Sequence, residues 1–552
     1  MALLKTALFF CIALVLAVSG LLVPAHLRSL DPAALEAAAE SASSNAAQLK
    51  ASLNAAHIGP AGWIAEATGA RPEQDQSIRA PLENRPAAAL IGGPDPGFQA
   101  FIERLPDNRY AAAEPTPVIP LLLPRRDRSL LADTLESSTR AHVTALLKIR
   151  ELPGMRRLHP ASHPAGAPFD AGLLTLAQLI ESGHIDPTRA EQLGDLANQA
   201  AGGNTRAIAA VEELVTAILS LGRQLDFRSL ANLANFESSI SNWADMGTLF
   251  RTRPKQTARL FTALHYEKDS QGLFQYLTAH PETGDRDLQQ ALLLGPGAVH
   301  HLLEAGLPIR QPTQLAERIL GPFAAERPAR LAEFAASERE AALLLKLALL
   351  LLAGLALSLA LGAAWRGSSH TANRVGRLSP AVLARNLCLS LAFTLTLWFG
   401  FEPEVLQSSD TEINAAPRLE FAVASAVDTI QSPVKTMQEL NQVTLFVLAL
   451  FFVLQLLVYC FCLIKLKEIA RQNLDPATKL RLLDNEENLF DFGLYLGLGG
   501  TVLALILVAV GIVEASLMAA YASTLFGILF VALLKVLHLR PYRRSLILET
   551  EK

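Results

Sequence analysis

Residues 514–535, EASLMAAYASTLFGILFVALLK, form an apolar stretch that is long enough to cross a bilayer. Tyr521, Ser523 and Thr524 lie near its middle, and Gly527 follows one turn later. Small residues at helical spacing let helix backbones approach closely in lipid, where packing drives association. The stretch therefore predicts a membrane helix with one face against other protein, and it raises the question of what the hydroxyl groups do there.

The composition of the chain is that of a membrane protein with a soluble part. Of its 552 residues 51% are hydrophobic and 18% are charged, which is too apolar for an ordinary soluble enzyme. The net charge of −4 gives no indication of nucleic-acid binding. We interpret the four cysteines as small core residues, with no disulfide set and no metal site, because all lie in apolar runs: Cys11, Cys388, Cys460 and Cys462.

Five or six segments are apolar enough to span a membrane, which takes about 20 residues. The first segment predicts either a signal anchor or a cleaved signal peptide over residues 1–23, and an uncleaved anchor is slightly favoured by its length. Lys346 lies near one end of the second segment, where its ammonium group can reach the interface. The segments are 7–23, 341–365, 386–401, 443–464, 489–512 and 515–537.

Lysine and arginine in the short loops predict the orientation of these segments. The loop of residues 365–385 contains four arginines and no acid, and the 465–490 loop and the C-terminal tail from residue 535 each contain five lysines and arginines. The 403–442 loop contains only two basic residues. Because basic loops stay in the cytoplasm, we expect the C-terminus inside the cell and residues 24–340 outside.

The outer region of residues 24–340 has the signals of a helical domain. Asp31 before Pro32 and Asp186 before Pro187 combine a capping acid with proline at the first helical position. Residues 205–222, TRAIAAVEELVTAILSLG, have apolar positions at helical spacing. The sequence therefore predicts helices and few strands here.

Proline-rich stretches at residues 115–124 and 152–168 predict linkers within the outer region. The fold class we expect is an all-α integral membrane protein with five or six transmembrane helices and a large helical periplasmic domain. Its predicted parts are an N-terminal anchor or signal peptide (1–23), the outer domain (24–340), an extra helix pair with an outer loop (341–440) and a three-helix core with a tail (441–552).

Nothing in the sequence indicates catalysis or a resident cofactor. His159 and His163 lie in a proline-rich stretch, and the adjacent His300 and His301 fall on different helix faces, so metal ligation is not predicted for either pair. The chain has no phosphate-binding loop, nucleophile elbow or zinc-protease motif. We therefore expect a protein that is not an enzyme.

The last two apolar segments contain small residues in helical register. Residues 493–511, GLYLGLGGTVLALILVAVG, begin with glycines at a spacing of four, and the final segment continues the pattern. The predicted helix-packing residues are Gly493, Gly497, Gly500, Ala519 and Gly527. Thr501 and Thr524 lie beside them, and each could bond only its own backbone carbonyl, so a purely structural role is open for both.

The same residues resemble the MotA/TolQ/ExbB proton-channel family. The segment GLGGTV, which includes Gly500 and Thr501, matches the G-x-x-G-T-V pattern of one family helix. The residues ASTLFGI at 522–528 look like the next helix, with Thr524 on the family's threonine. The resemblance covers about residues 440–545, and the helix order agrees. The cytoplasmic loop is shorter than in TolQ-like proteins, and Glu514 stands where relatives often have Pro–Gly.

The resemblance implies a function for the polar residues of the last two helices. In this family five copies form a ring around transmembrane helices of an ExbD/TolR-like partner, which has one span and an essential aspartate. Thr501 and Thr524 would face that aspartate and line the ion path, with Tyr521 and Ser523 beside them. The implied protein is a proton-channel subunit of a motor in the bacterial inner membrane, with the choice of H⁺ or Na⁺ left open.

Two other interpretations stay open. A non-conducting membrane scaffold that presents a helical periplasmic domain would fit the same helices without any ion path. A solute transporter would need paired helices that are interrupted by glycine or proline at mid-membrane, and the sequence has no such pair.

Overall fold

The computed structural model describes residues 2–70, 86–105, 114–235, 239–311, 314–324, 328–368, 380–402, 442–509 and 517–550. Helices make up 78% of the structure and no strand occurs among the described residues, so the predicted all-α class is confirmed. The predicted outer loop of residues 403–442 lies outside the described residues except for its last position, and so does Glu514.

The chain divides into two compact units, residues 30–310 and residues 1–29 with 311–552. The N-terminal helix is α1 (Ala2–Leu21). The helices of residues 30–310 are α2 (Pro32–Glu40), α3 (Asn45–Asn54), α4 (Ile58–Thr68), α5 (Pro86–Leu90), α6 (Pro96–Ile102), α7 (Val118–Leu122), α8 (Arg125–Glu136), α9 (Ala141–Lys148), α10 (Ala167–Glu181), α11 (Pro187–Ala201), α12 (Thr205–Gly222), α13 (Phe227–Ala234), α14 (Ile240–Thr252), α15 (Thr257–Glu267), α16 (Ser270–Ala279), α17 (Gly284–Leu294) and α18 (Pro296–Ala305). The later helices are α19 (Gln314–Ala324), α20 (Ala329–Ser337), α21 (Arg339–Ser368), α22 (Pro380–Phe401), α23 (Gln442–Arg471), α24 (Pro476–Asn485), α25 (Glu487–Phe490), α26 (Phe492–Ala509), α27 (Leu517–Leu533), a π-helical segment (Leu534–Leu539) and α28 (Arg540–Thr550).

The main hydrophobic core of residues 30–310 extends from Leu30 to Ile309, and Leu49, Ala61 and Ile64 form a small second cluster. Helix α10 is buried without interruption over residues 169–180, because most of these residues are apolar. The polar ones are hydrogen-bonded: Asp170, Thr175 and Gln178. The two ends of the unit meet: Leu30 donates its N–H to the Pro308 carbonyl at 2.9 Å, and Arg310 donates to the Leu30 carbonyl at 2.8 Å. The chain therefore enters and leaves this unit at adjacent points.

The predicted helix starts are confirmed by their capping bonds. The carboxylate of Asp31 accepts the N–H of Ala33, and that of Asp186 accepts the N–H of Thr188, both at 3.0 Å. The helix predicted over residues 205–222 is α12, which is capped by Asn204. A capping side chain satisfies N–H groups that have no partner within the helix.

The proline-rich stretch at residues 115–124 does not separate two parts of this unit. Val118, Ile119, Leu121 and Leu122 form most of α7 and are almost fully buried in the common core. The stretch is buried because the residues between its prolines are apolar. The second stretch, 152–168, is non-helical up to Gly166, as expected of a connection.

Asp226 is a buried acid at the start of α13. Its carboxylate accepts the N–H of Ser229 at 2.9 Å and the Ser229 hydroxyl at 2.7 Å. The backbones of Gly59 and Gly92 lie against it so closely that a Cβ at either position would collide with the carboxylate. Burial raises the pKa of Asp226 to about 6, although hydrogen bonds from Ser229 oppose the shift.

This pKa predicts a pH dependence that the Asp226→Asn variant lacks. The folded protein binds the proton more tightly than the unfolded chain, so the favourable contribution is complete below about pH 4 and is lost as the pH rises through 6. Relative to the variant, the wild-type free energy of unfolding should fall by about 2 kcal/mol between about pH 4 and pH 7. Urea unfolding of both full-length proteins at the two pH values checks this, and an unchanged difference would contradict it.

Four helices in the described part of the chain are long and apolar enough to cross a membrane, so the chain is consistent with a membrane protein. They are Leu4–Leu21, Arg339–Ala364, Leu450–Arg471 and Tyr521–Thr550. Two further apolar helices, Val382–Trp398 and Phe492–Val502, are shorter. The total of five or six spans stays a prediction.

The apolar helices pack in sequence through small residues. Gly20 of α1 lies against Leu350 of α21, and Gly354 of α21 lies against the backbone of Ser390 in α22. Helix α22 then meets α23, where Cys388 and Cys460 are hydrogen-bonded. Of the four cysteines only Cys11 is exposed, so our prediction of a core position was wrong for that residue: it lies on a face of α1 that is not packed against α21.

Candidate functional site: a polar cluster among three apolar helices

The last two long helices touch backbone to backbone where glycine occurs. A Cβ at Gly497 of α26 would lie 2.8 Å from the Ser523 carbonyl oxygen of α27. A Cβ at Gly527 would lie 2.6 Å from the Gly493 carbonyl oxygen. These distances leave no room for a side chain, so the glycines set the separation of α26 and α27.

The close approach of the helices brings the two threonines together. The hydroxyl oxygens of Thr501 and Thr524 lie 2.6 Å apart, which is a short hydrogen bond. The Gly497 carbonyl oxygen lies 3.1 Å from the Thr501 hydroxyl and 3.4 Å from that of Thr524. Each hydroxyl carries one hydrogen, and each hydrogen has an acceptor within the hairpin. Thr524, whose side chain is half-buried, can accept a hydrogen bond from a further donor.

The four predicted ion-path residues do not share one surface. Thr501 and Ser523 are buried, Thr524 is half-buried, and Tyr521 is 63% exposed. The Ser523 hydroxyl contacts the position that a Cβ of Gly500 would take, so Ser523 belongs to the helix contact. Of the two paired threonines, Thr524 is therefore the one whose side chain is partly accessible from outside the hairpin.

Gln455 of α23 completes the cluster, although its segment was predicted to be uninterrupted apolar chain. The side chain is 1% exposed, and its amide donates to the Gly493 carbonyl at 3.0 Å. Its nitrogen also lies near where Cβ atoms of Gly497 and Gly527 would be. The amide oxygen has no hydrogen-bond partner among the described residues. A lone glutamine within the apolar run FFVLQLLVYC was the available signal.

The glycines at this site pack against helices of the same chain. Gly493, Gly497, Gly500 and Gly527 face α23, α26 or α27 of the same molecule, and Ala519 lies in α27. A contact with another copy or a partner would use the opposite face of the hairpin. That face is apolar and exposed, and it comprises Tyr495, Leu498, Val502, Tyr521, Leu525 and Ile528.

Gly497→Ala is expected to destabilise the hairpin by about 1–3 kcal/mol, because the methyl group would force α26 and α27 apart. Gly499→Ala is the matched control, since its Cβ would meet no described atom within 4 Å. Detergent unfolding of each variant gives the comparison. Equal stability of the two variants would contradict the assigned packing.

A buried charged cluster is the second feature that was not predicted from the sequence. Lys346, predicted to reach the interface, is 3% exposed and forms an ion pair with Glu402, which follows α22. His26 Nδ1 lies 2.8 Å from the Glu402 carboxylate, and Trp398 donates its indole N–H to that carboxylate at 2.8 Å. Lys346 also donates to the Ala25 carbonyl at 2.8 Å. Lys346 is buried and not exposed to solvent because the Glu402 carboxylate lies within reach of its ammonium group.

This charged cluster links the end of α1 to two later helices. Arg339, at the start of α21, donates to the carbonyls of His26 and Leu27 at 2.9 and 2.8 Å. A buried charge is tolerated in an apolar region when it is paired and hydrogen-bonded. The cluster therefore fixes the segment after α1 against α21 and α22.

No protein family, curated protein or solved structure matches this chain. A function must therefore be inferred from the geometry of the threonine pair and of Gln455.

Proposed function

We propose that this chain is the channel subunit of an ion-driven motor in a bacterial inner membrane, similar to TolQ and ExbB. The observation that carries the proposal is the Thr501–Thr524 hydroxyl pair, which joins two neighbouring apolar helices at 2.6 Å. In the proposed topology residues 24–340 are periplasmic and the C-terminus is cytoplasmic. Ion flow through the membrane helices would do work on the periplasmic side.

The polar cluster is built from neutral groups, a fact that defines what the partner must supply. Gln455, Thr501 and Thr524 can orient and stabilise a proton donor, but none of them titrates near neutral pH. A partner helix with an aspartate would provide the titrating group. A charged side chain within a membrane normally faces a cavity or a polar group. The half-buried hydroxyl of Thr524 is such a polar group.

The direction of the hydroxyl hydrogens decides which protonation state of a partner acid the threonine pair binds more readily. With these hydrogens directed at Thr501, Thr524 or the Gly497 carbonyl, Thr524 accepts a hydrogen bond from a protonated acid more readily than it donates to a carboxylate. To hold the ionised acid, one hydroxyl must turn away from its internal acceptor. In this proposal Thr524 accepts from the protonated partner acid, and one hydroxyl of the pair turns to donate to the carboxylate once the acid is ionised.

A non-conducting scaffold is the second candidate, and one distance favours it. The Thr501 hydroxyl lies 3.1 Å from the Gly497 carbonyl of its own helix, which is the backbone bond that a purely structural threonine makes. In that case the membrane helices would serve only to anchor the helical unit of residues 30–310.

Isolation of the tagged chain from its native membrane distinguishes the two candidates. The channel proposal predicts a co-purifying single-span protein with an aspartate in its membrane helix, together with several copies of this chain, most simply five, by native mass spectrometry. A partner-free monomer in mild detergent would favour the scaffold.

A further inference from the structure

A groove beside the end of the last membrane helix has the composition of a lipid site. Its volume is about 570 Å³, and it runs along the π-helical segment and α28, with Glu487 on the other side. The cations that line it are Lys535, Arg540, Arg543 and Arg544. Apolar residues, including Ile547 and Leu548, form the rest of the wall.

Two of these cations are available to a ligand. Lys535 pairs with Asp491 at 2.7 Å, and Arg543 pairs with Asp484. Arg540 and Arg544 are one helical turn apart, and in the described part of the chain neither has an ion-pair partner. Guanidinium groups at this spacing suit a phosphate, which they bind through paired charge-assisted hydrogen bonds.

The charge balance around the groove defines the ligand further. Four cations stand against three acids, Glu487, Asp491 and Asp484, which leaves an excess of one positive charge. A single phosphodiester group carries one negative charge and would neutralise it. Because Glu487 also lines the groove, its wall is not cationic throughout.

The position of the groove indicates a lipid as the source of that phosphate. The groove begins with Lys535, two residues after the apolar helix α27 ends at Leu533. Val536 is 58% exposed, and Ile547 and Leu548 are 44% and 53% exposed beside the arginines. Basic residues directly at a membrane-helix end attract anionic lipids, and exposed apolar residues suit acyl chains. A free phosphate would use the arginines but would leave these apolar surfaces uncovered.

We propose that this groove binds the headgroup of an anionic phospholipid of the phosphatidylglycerol type, with Arg540 and Arg544 on the phosphate and Val536, Ile547 and Leu548 against the acyl chains. The π-helical turn at Leu534–Leu539 widens the helix where the groove begins, and such turns are frequent at functional sites. The site is separate from the threonine pair, and its test does not require ion flow.

Native mass spectrometry of the full-length protein in mild detergent provides the test. Phosphatidylglycerol should bind with a dissociation constant at least tenfold below that of phosphatidylcholine with the same acyl chains. Arg540→Gln/Arg544→Gln should weaken phosphatidylglycerol binding about tenfold or more, because both phosphate contacts are lost. Lys467→Gln/Arg471→Gln is the matched control, since it removes the same charge from exposed positions of α23 outside the groove.

Three outcomes would overturn the proposal. Equal binding of phosphatidylcholine would show an ordinary lipid contact, and equal weakening in the α23 control would show a general charge effect. Inhibition of lipid binding by millimolar inorganic phosphate, with phosphate itself retained on the protein, would show a site for the free anion. Arg540→Lys/Arg544→Lys, which keeps the charge, should restore part of the affinity and so excludes misfolding as the cause.

Discussion

Lys346→Met is expected to destabilise the unit of residues 1–29 and 311–552 by about 3–5 kcal/mol, the largest loss we predict for a single substitution. The substitution leaves Glu402 as a buried carboxylate without its ammonium partner, and Glu402 is only 3% exposed. It also removes the donor to the Ala25 carbonyl, which holds the segment after α1. Unfolding of the full-length protein in mixed detergent micelles measures the loss.

The double variant Lys346→Met/Glu402→Gln separates the cost of an unpaired charge from the value of the contact. The amide oxygen introduced in place of the Glu402 carboxylate can still accept the indole N–H of Trp398, so most of the lost stability should return. Lys465→Met is a surface control: its pairs with Glu468 and Glu486 are partly exposed, and its loss should stay below about 1 kcal/mol. A single-variant loss no larger than this control would contradict the assigned role of the cluster.

Thr501→Val and Thr524→Val should each slow ion-driven work of the isolated complex about tenfold or more, while the complex still assembles. Valine keeps the shape of threonine and removes the hydroxyl. Donation of a hydroxyl hydrogen bond to the ionised partner acid contributes about 1.5–3 kcal/mol, and about 1.4 kcal/mol corresponds to a factor of ten in rate. Thr→Ser at either position keeps the hydroxyl and should have a mild effect.

Thr396→Val is the matched control for these variants. The Thr396 hydroxyl donates only to the Ala392 carbonyl of its own helix, at 2.8 Å, and α22 is also apolar. Its loss should leave ion-driven work unchanged. If all three valine variants work at the wild-type rate, the threonine pair has a structural role and the scaffold is the better account.

The helices of this chain could be predicted from sequence because their signals are local. Asp31 and Asp186 precede prolines at helix starts, and the caps they form depend on two or three neighbouring residues. The glycine spacing likewise placed Gly497 and Gly527 at a helix contact. The hydroxyls of Thr501 and Thr524 could be suspected from their place beside those glycines, but the 2.6 Å bond between them could not be predicted.

The features that were not predicted from sequence depend on residues far apart in the chain. Lys346 and Glu402 are separated by most of α21, α22 and the segment between them, so an isolated lysine near a helix end suggested exposure. Gln455 was passed over because its partner is a backbone carbonyl of α26, which no residue type marks. The prediction of a linker at residues 115–124 was wrong because proline also occurs in turns between packed elements, and the apolar residues there are buried in the core.

We propose that ions cross the membrane through this chain and its partner. The direct measurement is the change of internal pH in liposomes that contain the affinity-isolated complex, under an imposed membrane potential and with Na⁺ flux recorded in parallel. We expect a potential-driven flux of one of the two ions in the wild type, reduced about tenfold or more in Thr501→Val/Thr524→Val, as expected for the loss of about 1.4 kcal/mol or more. Liposomes with the intact complex that pass neither ion faster than empty ones would contradict it.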